Sequence, residues 1–256
     1  MPLEPHERIR KALEESDGPA LVAFMTGGFP APGRFLDDLR TVAEVADAIE
    51  IGVPFSDPMA DGVTVQRSSR SAIEHGVTLR WILDELARRD AELGAPVLLM
   101  SYLNPLLALG YETLAARAVD AGVDGFIVPD LPYEESGPFR AALDARGLAL
   151  VQLVTPATPR ERLRDLTAAS SGFVYAVTRT GTTGAGELPA ELADYLDAVK
   201  AVSKVPVCAG FGVRERAQVE LIGRHADGVI VGSALVEVLE RGEDPAAFLR
   251  SLRPPA

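Results

Sequence analysis

The chain has 256 residues, a hydrophobic fraction of 47% and a formal charge of −12. That length supports one large core and is typical of an α/β barrel, and the acidic balance argues against nucleic acid, which is bound through clustered Lys and Arg. No apolar run approaches the ~20 residues of a membrane span, the N-terminus lacks a signal-peptide core, and Cys208 is the only cysteine, so neither an intrachain disulfide nor a cysteine-rich zinc site is expected. These features predict a cytoplasmic protein folded as one domain over residues 1–256, with no nucleic-acid or membrane partner.

Along the chain, the spacing predicts a helix over residues 5–15 and a short buried strand over 20–25 that ends at Thr26-Gly27-Gly28-Phe29-Pro30. A helix over 34–46 follows, with Phe35, Leu36, Leu39, Val42 and Val45 on one face. A strand over 49–52 then runs into a long loop, a helical segment over 65–75 stopped by Gly76, and a helix over 79–93 in which Trp81 packs. Strands over 96–101, 125–128 and 149–154 precede helices over 111–121, 134–146 and 159–169, with short connections. Strands over 173–178, 205–209 and 228–231 precede helices over 190–203, over 214–224 and from 234 onward, and a last helix covers 245–252.

Eight nearly continuous apolar strands alternating with helices indicate parallel strands covered by helices. A doubly wound open sheet would satisfy the same count. The unusual residues favour closure: Glu50, Tyr102, Asp130, Tyr175, Gly210 and Gly232 sit at or just past the C-terminal ends of different strands, where a barrel gathers its site, whereas an open sheet concentrates it at one switch point. The expected fold is therefore α/β, a (β/α)8 TIM barrel with additional helices.

One stretch carries most of the chemistry: Asp47-Ala48-Ile49-Glu50-Ile51-Gly52-Val53-Pro54-Phe55-Ser56-Asp57-Pro58-Met59-Ala60-Asp61-Gly62. Glu is depleted in strands and rarely buried unpaired. Either Glu50 is a strand-end residue facing water, or Glu50 and Asp61 are an acid/base pair. Farther on, Gly210-Phe211-Gly212 and Gly232-Ser233 follow strands seven and eight and lead into helices. Glycine lets a backbone approach a ligand, and free N–H groups at a helix start bind an anion, which makes these loops the expected phosphate site. The Gly- and Thr-rich loop 179–186 suits a lid or a plain surface loop.

A barrel with a phosphate site commonly handles a phosphorylated, sugar-like substrate by isomerisation, aldol cleavage or decarboxylation. Schiff-base aldol cleavage needs a lysine at a strand's C-terminal end, and the three lysines, Lys11, Lys200 and Lys204, lie elsewhere. Metal-assisted cleavage needs clustered imidazoles or carboxylates, and His6, His75 and His225 fall on helices far from the strand ends. Acid/base work by Glu50 and Asp61 is what remains.

These residues resemble the alpha subunit of tryptophan synthase, nearly end to end. The resemblance runs through Glu50-Ile51-Gly52-Val53-Pro54-Phe55-Ser56-Asp57-Pro58, Asp61-Gly62, Gly122-Val123-Asp124-Gly125 with Val128-Pro129-Asp130, Thr183-Gly184 and Gly210-Phe211-Gly212. It implies retro-aldol cleavage of indole-3-glycerol phosphate to indole and glyceraldehyde 3-phosphate. The residue matching Asp61 would hold and deprotonate the indole N–H, and the one matching Glu50 would serve carbon protonation and the side-chain hydroxyl. Phe24, Leu99, Ile127, Leu153, Tyr175, Phe211 and Ile230 or Val231 would form the indole wall. Gly184, Gly212, Gly232 and Ser233 would serve substrate binding, Thr183 would meet Asp61 on lid closure, and Asp130 would stand behind the site or serve only its strand end.

The resemblance also implies a partner, a beta subunit carrying pyridoxal phosphate, in an alpha2-beta2 heterotetramer. No cofactor or metal is expected in this chain. Pro54, Asp57, Asn104 and Pro105 lie in segments matching the docking surface. Val63 departs from the family pattern, since proline usually follows Asp-Gly there, and this removes one rigid φ from the loop. A stand-alone lyase and a non-catalytic activator subunit are the alternatives, the latter at odds with the presence of both carboxylates.

Overall fold

The structure is a computed structural model that describes residues 3–178, 188–210 and 212–254. In chain order the elements begin with α1 (Pro5–Glu14), β1 (Ala20–Thr26), α2 (Phe35–Ala43), β2 (Ala48–Gly52), α3 (Val63–Glu74) and α4 (Leu79–Ala87). The middle of the chain forms β3 (Val97–Met100), α5 (Leu103–Leu109), α6 (Tyr111–Asp120), β4 (Gly125–Ile127), α7 (Gly137–Asp144), β5 (Ala149–Val154) and α8 (Arg160–Ala169). It ends with β6 (Val174–Val177), α9 (Ala190–Val202), β7 (Val207–Gly210), α10 (Arg216–Ile222), β8 (Gly228–Val231), α11 (Ser233–Glu240) and α12 (Pro245–Leu252). Every neighbouring pair of strands is parallel and β8 pairs with β1, so the sheet closes into a barrel in sequence order.

Closure makes both faces of each strand apolar for different reasons. Leu21, Ala23 and Met25 of β1 and Ile49 and Ile51 of β2 pack in the layer between barrel and helices. The alternate residues, Ala20 and Val22 of β1, Ala48 of β2 and Leu98 of β3, fill the barrel itself. Since successive side chains point to opposite faces, one register places every interior residue at once.

Three local differences from the sequence reading have physical causes. The helix expected over 134–146 is split into a 3-10 turn (Tyr133–Glu135) and α7. Pro138 sits in the first turn of α7, where its missing N–H costs nothing, but inside a continuous helix it would clash with the preceding turn. The helix expected over 79–93 stops at Ala87, and the Arg89 guanidinium beyond it donates to the carbonyls of Leu86 and Ala121. Segment 103–109, to which the sequence reading assigned no element, is the helix α5, and Pro105 falls in its first turn where proline is tolerated.

At the N-terminal rim four residues repeat one device. Asp47, Asp124 and Asp227 each donate a backbone N–H to the carbonyl of Leu21, Val97 and Val207, at 2.9, 2.7 and 2.8 Å. Their carboxylates accept the N–H of those same residues at 2.7, 2.8 and 2.8 Å. Ser171 does the same for Leu150 with its hydroxyl. Each clamp joins an even-numbered strand to the odd-numbered strand before it and satisfies a strand-start N–H that would otherwise be buried unpaired.

Asp124 is the most enclosed of the four, with Arg8 3.3 Å from its free oxygen. Burial raises its carboxyl, so its value to the fold lies in the Val97 N–H it satisfies. Replacing Asp124 with Ala is expected to cost roughly 2 to 3 kcal/mol of unfolding free energy in urea, the range for a lost hydrogen bond to a charged group. A change of under ~0.5 kcal/mol, as at an ordinary surface site, would deny the clamp a structural role.

Candidate active site

Glu50 lies on the interior face of β2, in register with Phe24 of β1 and Leu98 of β3. It is 0% exposed, and neither carboxylate oxygen has a hydrogen-bond partner among the described residues. The water-facing reading of this residue is thereby excluded. Burial, followed by the nearby charge of Asp61, pushes its carboxyl up from 4.5 to about 8. An unpaired carboxylate cannot be held in an apolar barrel without this shift, so the group is predominantly neutral at pH 7.

Asp61 approaches from the loop that leaves β2. It is half-buried, and burial raises its carboxyl while contact with the Tyr102 hydroxyl opposes that rise. Tyr102 organises this loop from the side. Its hydroxyl accepts the Ala60 N–H at 2.8 Å, and its ring stacks on Phe55 with centroids 5.0 Å apart. Tyr102 is itself placed by the start of α5, where the Leu103 N–H donates to Asp130 at 2.9 Å. Asp130 therefore acts through α5 and Tyr102. Tyr102 was visible in the sequence as a residue at a strand end, but its partnership with Asp61 depends on an unforeseen helix.

Of the expected wall, Phe24 packs with Met100 and Val236 at the mouth, and Ile127, Leu153, Tyr175 and Ile230 join the interior cluster. Leu99 is a correction: it faces the helix layer, and Leu98 and Met100 are the residues of β3 on the interior side. Val231 likewise faces the helices. The Tyr175 hydroxyl is raised well above its ordinary value by burial and by the charges of Glu50 and Asp61, and so remains neutral. Its ring occupies the space that a Cβ at Gly210 would need, only 2.7 Å from the nearest ring carbon, which explains glycine there.

At the opposite side of the mouth, Gly212 adopts φ +61°, which favours glycine. Gly232 precedes α11 without any side-chain cap. Because the first ladder bond of α11 runs from Val236 N–H to Gly232, the N–H groups of Ser233, Ala234 and Leu235 have no acceptor within the helix. They form the electropositive end of α11, the kind of helix start that binds anions. The expected lid and wall residues Thr183, Gly184 and Phe211 lie outside the described residues.

The segments expected to dock a partner are arranged unevenly. Asp57 and Asn104 are exposed and Pro105 is half-buried, but Pro54 is buried and shapes the loop's exit from β2 instead of offering surface. Val63 is 79% exposed at the first position of α3, after an extended Gly62 at ψ 165°. His6, His75 and His225 bond to Gly147, Ser71 and Asp197 on the outer shell, and Lys200 pairs with Asp227 at the N-terminal rim. Among the described residues no three His, Cys, Asp or Glu side chains converge as metal ligands, and no helix is long and apolar enough to cross a membrane.

Fold and mouth together define a class, the (β/α)8-barrel enzymes that work at the C-terminal ends of their strands. Residues 10–252 match the family model described as tryptophan synthase alpha chain. The tryptophan synthase alpha chains of Nitratidesulfovibrio vulgaris (strain DP4) and Solidesulfovibrio magneticus are 48% and 46% identical to it, over 95% and 96% of both chains. Crystal structures agree. The subunit alpha of Legionella pneumophila superposes with a TM-score of 0.87 at 32% identity, covering 98% of this chain and 97% of its own. A chain of the aminoacrylate-bound tryptophan synthase of M. tuberculosis does so with 0.87 at 34%, covering 98% of each. The chain belongs to the tryptophan synthase alpha chain family.

Two outcomes follow from this geometry. Since burial raises the Glu50 carboxyl, the folded chain keeps a proton that the unfolded chain releases above pH 4.5. The stability this neutral group contributes is full below 4.5, declines as pH rises and is gone above about 8. Urea unfolding of Glu50→Gln against the parent chain should therefore show a gain that grows from pH 5 to pH 8.5, on the order of several kcal/mol. A pH-independent difference would contradict the burial account. Val63→Pro should stabilise the chain by about 0.4 to 1 kcal/mol, because proline suits the first helical position and an extended preceding glycine. A loss of thermal stability would show that the Val63 N–H is needed.

Proposed function

We propose that the chain catalyses retro-aldol cleavage of indole-3-glycerol phosphate to indole and glyceraldehyde 3-phosphate, as the alpha subunit of a tryptophan synthase. The observation that carries the reading is Glu50, a fully enclosed carboxyl with no hydrogen-bond partner among the described residues and a pKa of about 8, in electrostatic contact with a second carboxylate at the barrel mouth.

Neutral Glu50 donates its proton to carbon 3 of the indole, which leaves the ring a cation with the positive charge shared by nitrogen. The Glu50 carboxylate so formed takes the proton of the side-chain hydroxyl. The carbon–carbon bond breaks, its electron pair returns to the ring and restores indole, and the hydroxyl carbon becomes the aldehyde. Glu50 ends the cycle protonated. Asp61 faces the indole N–H and opposes the positive charge as it develops, a role that suits a carboxylate kept accessible beside Tyr102. Substrate supplies its own electron sink, which accounts for a site built without lysine at a strand end.

The phosphate would be received by the N–H groups of Ser233 to Leu235, which have no acceptor within α11, with glycine at 212 and 232 leaving the backbone open to it. Phe24, Ile127 and Tyr175, with Leu98 in place of Leu99, form the indole wall, and the expected roles of Thr183, Gly184 and Phe211 in substrate binding fall outside the described residues. A beta subunit carrying pyridoxal phosphate is the partner, docked over Asp57, Asn104 and Pro105 in an alpha2-beta2 assembly in the cytoplasm. This chain itself takes no cofactor.

Glu50→Gln keeps size and polarity but removes the transferable proton. Turnover of indole-3-glycerol phosphate, measured with and without a beta subunit, should fall ~100- to 10,000-fold, the usual contribution of a general acid/base. A non-cleavable indole-propanol phosphate should still bind. Near-normal turnover in the folded variant would reduce Glu50 to a structural carboxyl.

A further inference from the structure

Three segments meet at the mouth: the loop carrying Asp61, the loop after β7 carrying Gly212, and the start of α11. One side chain of α11 bonds to the loop after β7 and to the first turn of α3, the helix that the Asp61 loop enters. Glu237 lies one turn into α11 beyond Ser233, and its Oε2 accepts from Arg214 Nη1 at 2.7 Å while its Oε1 accepts from Arg214 Nη2 at 2.9 Å. Oε1 also accepts from the Thr64 hydroxyl at 3.2 Å. Arg214 stands two residues past Gly212, in a segment held by buried Val213 and by the Arg214 N–H, which donates to Gln218 at 2.8 Å. Thr64 is the second residue of α3, three positions past Asp61, and the Gln66 amide donates to the Asp61 carbonyl at 2.9 Å.

The rest of α3 is fastened so that this contact can transmit position. One turn further on, Arg67 donates twice to Glu240 of α11, at 3.0 and 2.6 Å. Beneath it the buried hydroxyls of Thr26 and Ser68 bond at 2.6 Å and tie α3 to the end of β1. An isolated exposed ion pair adds little to stability. Glu237 differs, since its side chain is only 24% exposed and joins a bidentate guanidinium from the loop after β7 to a hydroxyl in the first turn of α3. Hydrogen bonding from Arg214 holds its carboxyl below the usual range, so the pair stays ionised where Glu50 titrates.

We infer that Glu237 is a positioning residue that locks the Asp61 loop and the loop after β7 to the helix whose N-terminus receives the phosphate. One carboxylate then sets both the depth of the phosphate seat and the approach of Asp61. The inference rests on the indole-3-glycerol phosphate reading of this site.

The test is steady-state cleavage of indole-3-glycerol phosphate by the full chain with a beta subunit present, comparing Thr64→Val, Thr64→Ser, Arg214→Gln and Glu237→Gln, with thermal unfolding of each. Thr64→Val should lower kcat about three- to tenfold with KM unchanged, the effect of one ordinary hydrogen bond, and Thr64→Ser should restore it. Arg214→Gln should raise KM by about the same factor with kcat unchanged, and Glu237→Gln should do both. Unaltered kinetics in Glu237→Gln would overturn the inference. So would opposite KM shifts in Arg214→Gln and Glu237→Gln, which would mean that the carboxylate acts on the phosphate through its charge alone. If Glu237→Gln does not fold, the Thr64 pair decides: equal kcat in Val and Ser variants overturns the inference. A parent chain that fails to cleave the substrate overturns the functional reading and the inference with it, whereas normal parent turnover with unsplit variant effects overturns the inference alone.

Discussion

A carboxyl held inside a barrel without a hydrogen-bond partner among the described residues is the constraint to which the mouth of this molecule responds. Water would stabilise the ionised form of Glu50; the interior formed with Leu98, Ile127 and Ile230 does not. The group answers by keeping its proton to about pH 8. Such a group can deliver a proton to carbon at neutral pH, which an ordinary surface Glu cannot do efficiently. Burial raises the Asp61 carboxyl as well, but that residue is only half-buried. Its loop is open to solvent, and Tyr102 supplies a contact that favours the charged form. Two carboxyls a short loop apart thus differ in enclosure and in hydrogen bonding, the kind of difference by which acid and base roles are divided.

The scaffold separates stability from chemistry along the barrel axis. The clamps of Asp47, Asp124, Ser171 and Asp227 close strand starts at the N-terminal rim, the end of the barrel away from Glu50 and Asp61. At the other end the groups are held by connections between loops. The chain from Asp130 through the start of α5 to Tyr102 reaches Asp61 from one side. The chain from Arg214 through Glu237 to Thr64 holds the first turn of α3, into which the same loop runs. A loop of Gly, Pro and small polar residues has little packing of its own, so its geometry is set by what grips it at both ends.

Much of this was legible in the sequence, and the exceptions have identifiable causes. Strands β5 and β8 and helix α12 fall where the sequence reading places them, over 149–154, 228–231 and 245–252. Glu50 stood out because a carboxylate in an apolar strand needs a reason. Face assignment was harder. A strand buried on both sides has no period of two to read, so Leu99 was as plausible an interior residue as Leu98. Helix α5 was not anticipated; it is only seven residues long and carries Pro105 in its first turn, where proline is tolerated. Contacts such as Thr64 with Glu237, 173 residues apart, leave no local pattern at all.

The most direct test of the central claim is to titrate Glu50 itself. With glutamate labelled at the carboxyl carbon, the resonance that disappears in Glu50→Gln can be followed by NMR from pH 4 to pH 10 in the folded chain. The account predicts a midpoint near 8, far above the 4.5 of an ordinary Glu. A midpoint near 4.5 would show that Glu50 is ionised at neutral pH, and would contradict its role as the proton donor.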